Sequence, residues 1–423
     1  ILLYGGAAVV LRRQWGGPGR RLRVLAATRR AGLVFAAFPV STYLANLVPW
    51  WRARHPLPVL IAVVLLAVAA VALVALFGPW RRRMLGAFGA VAAITALVLG
   101  VDIVTGSTLQ QSSLMGYSPL VAGRFYGFGN VAFALFATSV LLSVAGFAEP
   151  LVVRGRRRSA VALAVAVGVL AVLVDGLPAF GSDFGGVLAL VPGFAVLAMG
   201  LAGTRVSPGR LALAMGAAVA TIGAIAVGDW LRPPGERAHL GRFVQQVLDG
   251  EALTVIQRKL AANLGILVGN AGLSLLVPVG FAFVVLVLMR PLAWRAAALE
   301  RTYDRAPTLR PGVMAVLTAL LVGFAVNDSG IAIPAVGLTV AIPLLLAASV
   351  NALERDERDE RDERDGGGGG GLVHPRAGHL LLDRQSRLHS GKISDPLGVL
   401  DYRGVRLGGI LVAVRMVRGK RGR

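Results

Sequence analysis

An arginine set among aromatic and glycine residues is the strongest candidate for ligand chemistry in this sequence. Arg124 lies in the loop 105–130, where Phe125 and Tyr126 follow it directly and Asn130 ends the stretch GSTLQQSSLMGYSPLVAGRFYGFGN. A guanidinium binds phosphate or carboxylate through paired hydrogen bonds, and neighbouring rings can border a sugar or a lipid headgroup. The alternative is an aromatic belt at the membrane interface with one arginine reaching towards water. We place Arg124, Tyr126 and Asn130 in a candidate substrate-binding set.

Two further loops add polar residues to this set. Asp183, in the glycine-rich stretch LPAFGSDFGG, could bind a cation or accept a hydrogen bond from a substrate hydroxyl, although a plain turn between helices needs neither role. Asn327 and Asp328 begin the sequence Asn-Asp-Ser-Gly, which by itself is sound turn chemistry. The set therefore gains Asp183, Asn327 and Asp328, each with a purely structural alternative.

The longest loop between apolar segments, 230–262, is predicted to contain helices that lie on the membrane surface. Leu240, Phe243 and Val247 fall on one helical face, and a second apolar face follows the Asp-Gly turn after them, which is typical of interfacial helices. His239 then points towards water or headgroups and completes the candidate substrate-binding set. The loop is either a lid over the site or a simple interfacial connector.

Several chemistries are excluded by composition and spacing. Cysteine is absent, and no pair of histidines has metal-ligand spacing within the apolar part, so we predict no metal site of the zinc type. A cation site made of carboxylates alone is still allowed. The sequence has no P-loop, no nucleophile elbow and no dinucleotide-binding fingerprint ahead of a helix. Catalytic residues and a cofactor are therefore unknown, and whether the protein is an enzyme is left open.

The elements that must position these residues are membrane-spanning helices. Hydrophobic residues make up 56% of the 423 residues, and the mean hydropathy is +0.70. Apolar runs of about 20 residues, the length that crosses a hydrocarbon core, recur as far as position 350. We predict an all-α fold, a polytopic transmembrane helix bundle of about ten spans, at 31–50, 57–78, 85–104, 127–147, 159–177, 186–204, 211–229, 263–289, 311–327 and 331–350.

The arginine positions predict how the spans are oriented. A net charge of +22 would suggest a nucleic-acid partner for a soluble protein, but here the arginines sit in short loops between apolar runs. We therefore predict a lipid bilayer as partner and no nucleic acid. One set of alternate loops carries most of the basic residues, within 12–30, 81–83, 154–158, 205–210 and 290–310. Because cations are retained on the cytoplasmic side, this set is predicted to lie inside a multi-pass protein of the cell membrane.

With that orientation, the polar residues at the ends of the spans all fall near the outer face. They are Asn46, Asp102, Asn130, Asp175, Asp183, Asp229, Asn263, Asn270, Asn327 and Asp328. Ionisable groups in a span are costly unless they face a partner or a water-filled cavity, so a set on one side indicates a shared outward-facing site. The alternative is that these residues are ordinary helix caps and loop residues.

The ends of the chain differ from its middle. Residues 1–30 are interpreted as the end of a truncated span followed by a basic cytoplasmic loop, because neither Met nor a charged segment precedes the first apolar run. Residues 31–350 form the transmembrane helical domain. The segment 351–371, with its Arg-Asp-Glu repeats and six glycines, is predicted to be a linker, and 372–423 a basic, disordered tail.

Three short motifs resemble the membrane region of actinobacterial multi-pass proteins labelled alkaline phosphatase-like or phosphoglyceromutase-like. They are FPVSTYLANLVPWWR at 38–52, SPLVAGRFYGFGN at 118–130 and NDSGIAIPA at 327–335, and the resemblance covers about 31–350. It implies that a metal-dependent phosphatase domain on the outer side precedes the membrane part. That domain would lie upstream of Ile1, so none of its catalytic residues is assigned to this chain.

Two classes of function follow from these observations. The first is the membrane module of a cell-envelope protein, with an outward-facing polar groove that handles a lipid-linked phosphate or glycan beside the upstream phosphatase-like domain. The second is a multi-pass transporter of an envelope precursor or ion. Transporters usually place polar groups near the bilayer midplane on paired broken helices, and this sequence shows no clear inverted repeat. The first class is therefore favoured.

Overall fold

The computed structural model of this chain describes most of the apolar region and a small part of the tail. The residues described are 18–122, 125–237, 239–251, 297–327, 332–366, 404–407 and 410–413, with the isolated positions 254, 257, 282 and 285. Within these residues, nine helices are long and apolar enough to cross a membrane. The prediction of an all-α transmembrane bundle is confirmed. The predicted span at 263–289 lies almost entirely outside the described residues.

The helices follow one another with short connections. In chain order they are α1 Pro18–Leu44, α2 Pro56–Phe77, α3 Gly86–Val104, α4 Asn130–Val153, α5 Arg157–Gly176, α6 Phe184–Ala202, α7 Pro208–Trp230, α8 His239–Leu248, α9 Ala297–Arg305, α10 Leu309–Val326 and α11 Ala332–Gly366. Single helical turns occur at Pro119–Ala122, Ala45–Leu47, Trp50–Arg52, Pro79–Arg82 and Pro234–Glu236. Of the helices α1 to α11, all except α8 and α9 are candidate spans.

Two short strands lie in the tail. β1 Gly404–Leu407 and β2 Ile410–Ala413 pair as an antiparallel hairpin. The chain divides into two compact units, Ile1–Asp362 and Glu363–Arg423, and the helical bundle belongs to the first. The predicted disorder of 372–423 falls mostly on residues outside those described, and the hairpin, which the sequence analysis did not predict, is the part that is described.

Helix α4 is the centre of the bundle. It packs against α3, α5, α6 and α10, and 89% of its most apolar stretch is buried, against 11% for α7. A helix that is apolar all round is stable where neighbours surround it, whereas α7 leaves most of its surface for lipid. α1, α2 and α3 form a second group that contacts α4 through α3. α4 therefore packs directly against α5, α6 and α10, and it supports the group α1, α2 and α3 through α3.

Small residues allow the central helices to approach closely. α3 crosses α4 at Gly89 and Gly146, where a Cβ on Gly146 would lie 2.8 Å from the Gly89 Cα. α10 crosses α4 where Gly312 meets Ala145, and a Cβ on Gly312 would lie 2.6 Å from the Ala145 Cβ. Such small-residue crossings are typical of helices in membranes, because close backbone contact supplies packing energy that lipid does not.

The described helices alternate in direction across the bundle. α6 and α7 are packed neighbours joined by a short connection, so α7 ends on the side where α6 begins. α10 starts on the opposite side, because the Thr308 hydroxyl donates to the Ala145 carbonyl near the end of α4 at 2.8 Å, and Pro311 lies against Gly200 near the end of α6. The chain therefore changes side once more between α7 and α10, as the predicted ten-span arrangement requires.

The two ends of the bundle have different chemistry and are named here accordingly. The polar end consists of the connections 45–55, 105–129, 177–183 and 231–237, together with α8 and Asn327. The arginine end consists of the first turns of α1, the connections 78–85, 154–156, 203–207 and 306–308, the helix α9 and residues 351–362 of α11. The sequence predicts that the polar end faces outwards and the arginine end faces the cytoplasm.

The two largest differences from the predicted boundaries both lie at the arginine end. α1 begins at Pro18, so the basic segment expected to be a loop up to residue 30 is helical. α11 continues to Gly366 through most of the segment expected to be a linker. The two extensions hold each other, because Arg29 pairs with Glu354 at 2.9 Å and Arg21 with Glu357 at 3.0 Å.

The Arg-Asp-Glu repeat of α11 also supports a helix locally. A glutamate recurs four residues before an arginine along this segment, and Glu354 pairs with Arg358 in that way. Glutamate ahead of a basic residue at this spacing stabilises a helix by a few tenths of a kcal/mol per pair. The described part of the helix extends to Gly366, the first of six glycines.

Candidate functional site

The loop 105–129 is built around the carboxylate of Asp102, in the last turn of α3. One oxygen accepts a hydrogen bond from the Leu109 N–H at 2.7 Å, and the other accepts from the Gln110 N–H at 3.3 Å. The side chain is only 2% exposed. A buried carboxylate that accepts several backbone bonds fixes the path of the chain. Asp102 is therefore a loop-organising residue.

The same loop is attached to the end of α1. The Asn46 amide donates to the carbonyls of Leu109 and Gln111 at 3.0 and 3.1 Å. The buried Tyr43 hydroxyl donates to the Met115 carbonyl at 2.6 Å. Loop carbonyls that have no partner in regular secondary structure are satisfied in this way. Asn46 is thus another structural member of the polar set.

Hydrogen bonds also join the first half of the loop to its second half. The Ser107 hydroxyl accepts from the Gly127 N–H, and the Gln110 side-chain carbonyl accepts from the Gly129 N–H, both at 3.1 Å. Both acceptors are fully buried. The loop is therefore a hydrogen-bonded platform at the polar end, with its own buried polar interior.

The aromatic pair of the candidate set lies on this platform. The Gln111 side chain donates to the Phe125 carbonyl at 2.7 Å, while the residues Phe125 and Tyr126 are 64% and 47% exposed. Asn130 begins α4 and is partly buried. Arg124 lies outside the described residues. The backbone that carries the two rings is thus fixed while the rings themselves face outwards.

Three serines in the polar end have left-handed backbone conformations. They are Ser107, Ser112 and Ser182, with φ angles of 63°, 56° and 52°. This region is unfavourable for residues with a Cβ, and such strain tends to cluster at functional sites. All three serines fall in the connections 105–129 and 177–183. The strain of the described non-glycine residues is thus concentrated at this end.

The connection 177–183 packs directly against the platform. The Phe128 N–H donates to the Gly181 carbonyl at 2.9 Å, and the Asp183 N–H donates to the Asp175 carbonyl at 3.0 Å. Asp183 is the N-cap of α6, since its side chain accepts from the Gly186 N–H at 3.1 Å. The two polar loops therefore form one continuous structure.

Asp175 is the most unusual residue of the polar end. Its side chain is fully buried at the end of α5, and among the described residues neither carboxylate oxygen has a hydrogen-bond partner. The carboxylate lies against Gly186, where a Cβ would overlap it. A buried carboxylate without a hydrogen-bonding partner is costly, and within a span it is a functional-site hypothesis by default. From its position in the sequence, Asp175 belongs to the polar set but not to the predicted substrate-binding residues.

Asn327 is brought to the same turn of α6. It is buried, and a Cβ on Gly185 would lie 3.1 Å from the Asn327 side-chain nitrogen and 3.5 Å from an Asp183 carboxylate oxygen. The chain therefore assembles two carboxylates and one amide around Gly185 and Gly186. Asp328, predicted beside Asn327, lies outside the described residues. The signal that identifies Asp175 is a carboxylate eight residues before Asp183, at the end of an apolar span.

Helix α8 lies across the end of α7 and reaches this cluster. The Gly241 N–H donates to the Asp229 carboxylate at 2.7 Å, and the Phe243 ring lies 6.4 Å from the ring of Phe184, the residue after Asp183. His239 is the first residue of α8, and its side chain lies outside the description. The first of the two predicted surface helices is present. Its position beside α6 is compatible with a lid and with a connector.

Five described members of the polar set fall into two kinds. Asn46, Asp102, Asp183 and Asp229 bond to backbone groups, as the capping alternative predicts. The Asp175 side chain makes no such bond among the described residues, and this distinguishes it from the other four. Asn263 and Asn270 lie outside the described residues. Within the described part of the chain, no group of three or more His, Cys, Asp or Glu side chains could hold a metal ion.

The fold and the distribution of its charges define a multi-pass helical membrane protein. No family model matches the chain, and comparisons with curated proteins and with solved structures give no significant match. The resemblance to phosphatase-like membrane proteins therefore stays a prediction.

Proposed function

We propose that this chain is the membrane module of a cell-envelope protein, and that its polar end binds a lipid-linked phosphate or glycan on the outer side. The observation that carries the proposal is the exposed pair Phe125 and Tyr126, which follow Arg124 directly in the sequence and belong to a loop with internal hydrogen bonds. A site fixed before the ligand arrives loses less conformational freedom on binding.

Each part of the platform suits one part of such a ligand. Arg124 supplies the cation for a phosphate, and a charge-assisted bond of this kind contributes about 1.5–3 kcal/mol. The rings of Phe125 and Tyr126 cover the apolar face of a sugar or the first carbons of a lipid chain, since aromatic side chains suit the boundary between water and hydrocarbon. The chain would bind and orient the substrate. Hydrolysis is assigned to the phosphatase-like domain that the resemblance implies.

Binding of an isoprenyl phosphate to the purified full chain in lipid nanodiscs tests this proposal. We expect Arg124→Gln to weaken binding by about tenfold or more and Tyr126→Ala by about threefold to tenfold, because each removes one contact of about 1–3 kcal/mol. Arg54→Gln is the matched control, since Arg54 is an exposed arginine of another connection at the polar end.

Three results of this binding measurement would count against the proposal, each in a different way. Equal affinity of the wild type and the Arg124 and Tyr126 variants would remove the platform from the binding site. An equal loss in Arg54→Gln would reduce the effect to general positive charge. An isoprenyl phosphate that binds no better than phosphatidylcholine would refute the proposal as a whole.

A second candidate function is transport of an ion or an envelope precursor, and the burial of Asp175 favours it. The Asp175 carboxylate has no hydrogen-bonding partner within the described part of the chain and lies next to a second carboxylate and an amide, so it offers oxygen ligands to a small cation such as Na⁺. Such a cation would offset the cost of burying the charge. The cluster lies at an end of the bundle, so a transporter would also require a path through it.

Sodium flux into proteoliposomes, together with thermal unfolding in NaCl and in choline chloride of equal ionic strength, tests the transport candidate. We expect Na⁺ to raise the melting temperature of the wild type and to have no specific effect on Asp175→Asn. Asp249→Asn is the control, because Asp249 is exposed at the end of α8. If Na⁺ and choline give equal stability and no flux is detected, this candidate is excluded and the first proposal is unaffected.

A further inference from the structure

A cavity at the arginine end collects basic side chains from four separate segments. Its volume is about 320 Å³. The charged residues that line it are Glu149 and Arg154 at the end of α4, Arg83 before α3, Arg305 in α9 and Arg355 in α11. We call this cavity with these five residues the arginine pocket. It lies at the opposite end of the bundle from the platform, so it is independent of the proposed function.

The charges of the arginine pocket do not balance. Arg305 pairs with Asp356 and Asp359 of α11, and Arg355 donates to a backbone carbonyl. Among the ion pairs of the described residues, none includes Arg83, Arg154 or Glu149. The pocket therefore holds more positive than negative charge.

The usual retention of arginines on the cytoplasmic side does not account for this convergence. That rule explains why arginines occupy these loops, and it applies equally to Arg81, which does not line the cavity. It gives no reason for arginines of four segments to meet around Glu149, which is only 8% exposed. Glu149 interacts electrostatically with Arg355, Arg83 and Arg154 but forms no ion pair among the described residues, which leaves room for a ligand between these groups.

We propose that the arginine pocket binds the headgroup of an anionic phospholipid that carries hydroxyl groups, such as a phosphatidylglycerol. The phosphodiester lies among Arg83, Arg154 and Arg355, because guanidinium groups bind phosphate oxygens through paired hydrogen bonds. A headgroup hydroxyl donates to the Glu149 carboxylate. Basic pockets between membrane helices on the cytoplasmic side are typical sites for anionic headgroups.

Glu149 determines which headgroups fit. A phosphodiester carries one negative charge and can bind to the arginines next to the Glu149 carboxylate. The same carboxylate accepts a hydrogen bond from a headgroup hydroxyl. It repels a second negative charge, such as the carboxylate of a serine headgroup or the extra charge of a phosphate monoester. A glycerol headgroup is therefore favoured over both.

The rim of the pocket suits the acyl chains of the same molecule. Met84, Pro150 and Val153 complete its lining, and Val153 is 62% exposed at the end of α4. The volume of about 320 Å³ lies at the lower end of the range for small-molecule sites, about 300–1,000 Å³. The cavity thus accommodates a headgroup while the chains continue along the apolar helix surface.

Lipid retention by the purified full chain tests this site. Native mass spectrometry after delipidation and addition of phosphatidylglycerol or phosphatidylcholine measures how much of each lipid stays bound. We expect about tenfold or greater preference of the wild type for phosphatidylglycerol, and loss of that preference in the double variant Arg83→Gln/Arg154→Gln. Both arginines are exposed and, among the described residues, outside ion pairs, so we expect the variant to keep its fold; its melting temperature in phosphatidylcholine checks this.

Two further variants distinguish the pocket from a general basic surface. Arg81→Gln, which removes one positive charge from the same connection as Arg83 but outside the pocket, should keep the preference. Glu149→Gln should keep phosphatidylglycerol binding and gain phosphatidylserine and phosphatidic acid. Equal retention of phosphatidylglycerol and phosphatidylcholine, or an equal loss in Arg81→Gln, overturns the proposal. If glycerophosphoglycerol, the soluble phosphodiester form of the headgroup, competes as well as the lipid, the ligand is a soluble phosphodiester and the lipid assignment is overturned.

Discussion

The polar end and the arginine end of the bundle are held together by different interactions. At the polar end, side chains of Asp102, Asn46 and Ser107 bond to backbone groups of neighbouring connections. At the arginine end, α11 is joined to α1 and α9 by ion pairs between side chains, as in Arg29 with Glu354. A loop that must keep one shape needs its backbone fixed, whereas packed helices need only their side chains joined.

This difference predicts that the two ends respond differently to salt concentration. Exposed ion pairs are screened by salt and contribute little, while bonds from buried side chains to backbone are insensitive to salt. The strained serines of the polar end are stable only because the surrounding bonds hold them. We therefore expect the polar end to keep its shape as the salt concentration rises, and the exposed ion pairs of the arginine end to weaken.

The assignment of the two ends to opposite sides of the membrane has the largest expected effect. Because the chain has no cysteine, single substitutions Ser118→Cys and Ser159→Cys at exposed positions report one end each. An impermeant thiol reagent should label position 118 in intact cells and position 159 only after permeabilisation. The reverse pattern would place the platform in the cytoplasm and would exclude an envelope substrate.

Loss of the Asp102 carboxylate should be the most damaging change at the polar end. Asp102→Ala removes the acceptor of two backbone N–H groups in a buried setting, so we expect a loss of about 3 kcal/mol of unfolding free energy. Thermal unfolding in detergent measures it, with the exposed Asp249→Ala as control. A change below about 0.5 kcal/mol would mean that the platform does not depend on this residue.

Crowding the Asp175 cluster should have an intermediate effect. Gly186→Ala places a methyl group on the Asp175 carboxylate, and overpacking of this kind costs about 1–3 kcal/mol. Gly216→Ala in α7 is the matched control, because nothing lies within 4 Å of a Cβ there and alanine favours a helix. If both variants melt at the same temperature, the carboxylate is not packed against α6 as described.

Ion pairs of unequal burial should give the smallest effects at the arginine end. Glu354 is nearly buried and pairs with both Arg29 and Arg358, so Glu354→Gln should cost about 1–2 kcal/mol. Glu357 pairs with the half-exposed Arg21, so Glu357→Gln should cost less than about 0.5 kcal/mol. Comparable losses in the two variants would contradict the view that burial decides which pairs stabilise this end.

Hydropathy and arginine positions were sufficient to predict the helices that cross the membrane. Apolar length alone determines which segments span, so the described spans lie within a few residues of the predicted limits wherever no charged extension follows. The start of α6 also follows from Asp183, which precedes an apolar run and caps the helix, whereas Asn130 is the first residue of α4 after its cap Gly129. These are local properties, and a linear sequence carries them.

The charged extensions of α1 and α11 could not be predicted in the same way. Arg29 and Glu354 are distant in the chain, and neither segment is apolar enough to indicate a buried helix by itself. Each helical extension is stabilised by its contact with the other, so neither can be predicted without knowing that the two helices are neighbours. The contact between α8 and α6 through Phe243 and Phe184 is unpredictable for the same reason.

The sequence by itself determined the class of this protein, its spans and the end at which polar residues gather, because hydrophobic length and charge act along the chain. Only the tertiary structure decided which polar residues are caps and which one, Asp175, is buried without a hydrogen-bonding partner among the described residues. It also decided that arginines of four segments share one pocket around Glu149. Both depend on which helices are neighbours, and packing of small residues such as Gly89 against Gly146 sets that arrangement.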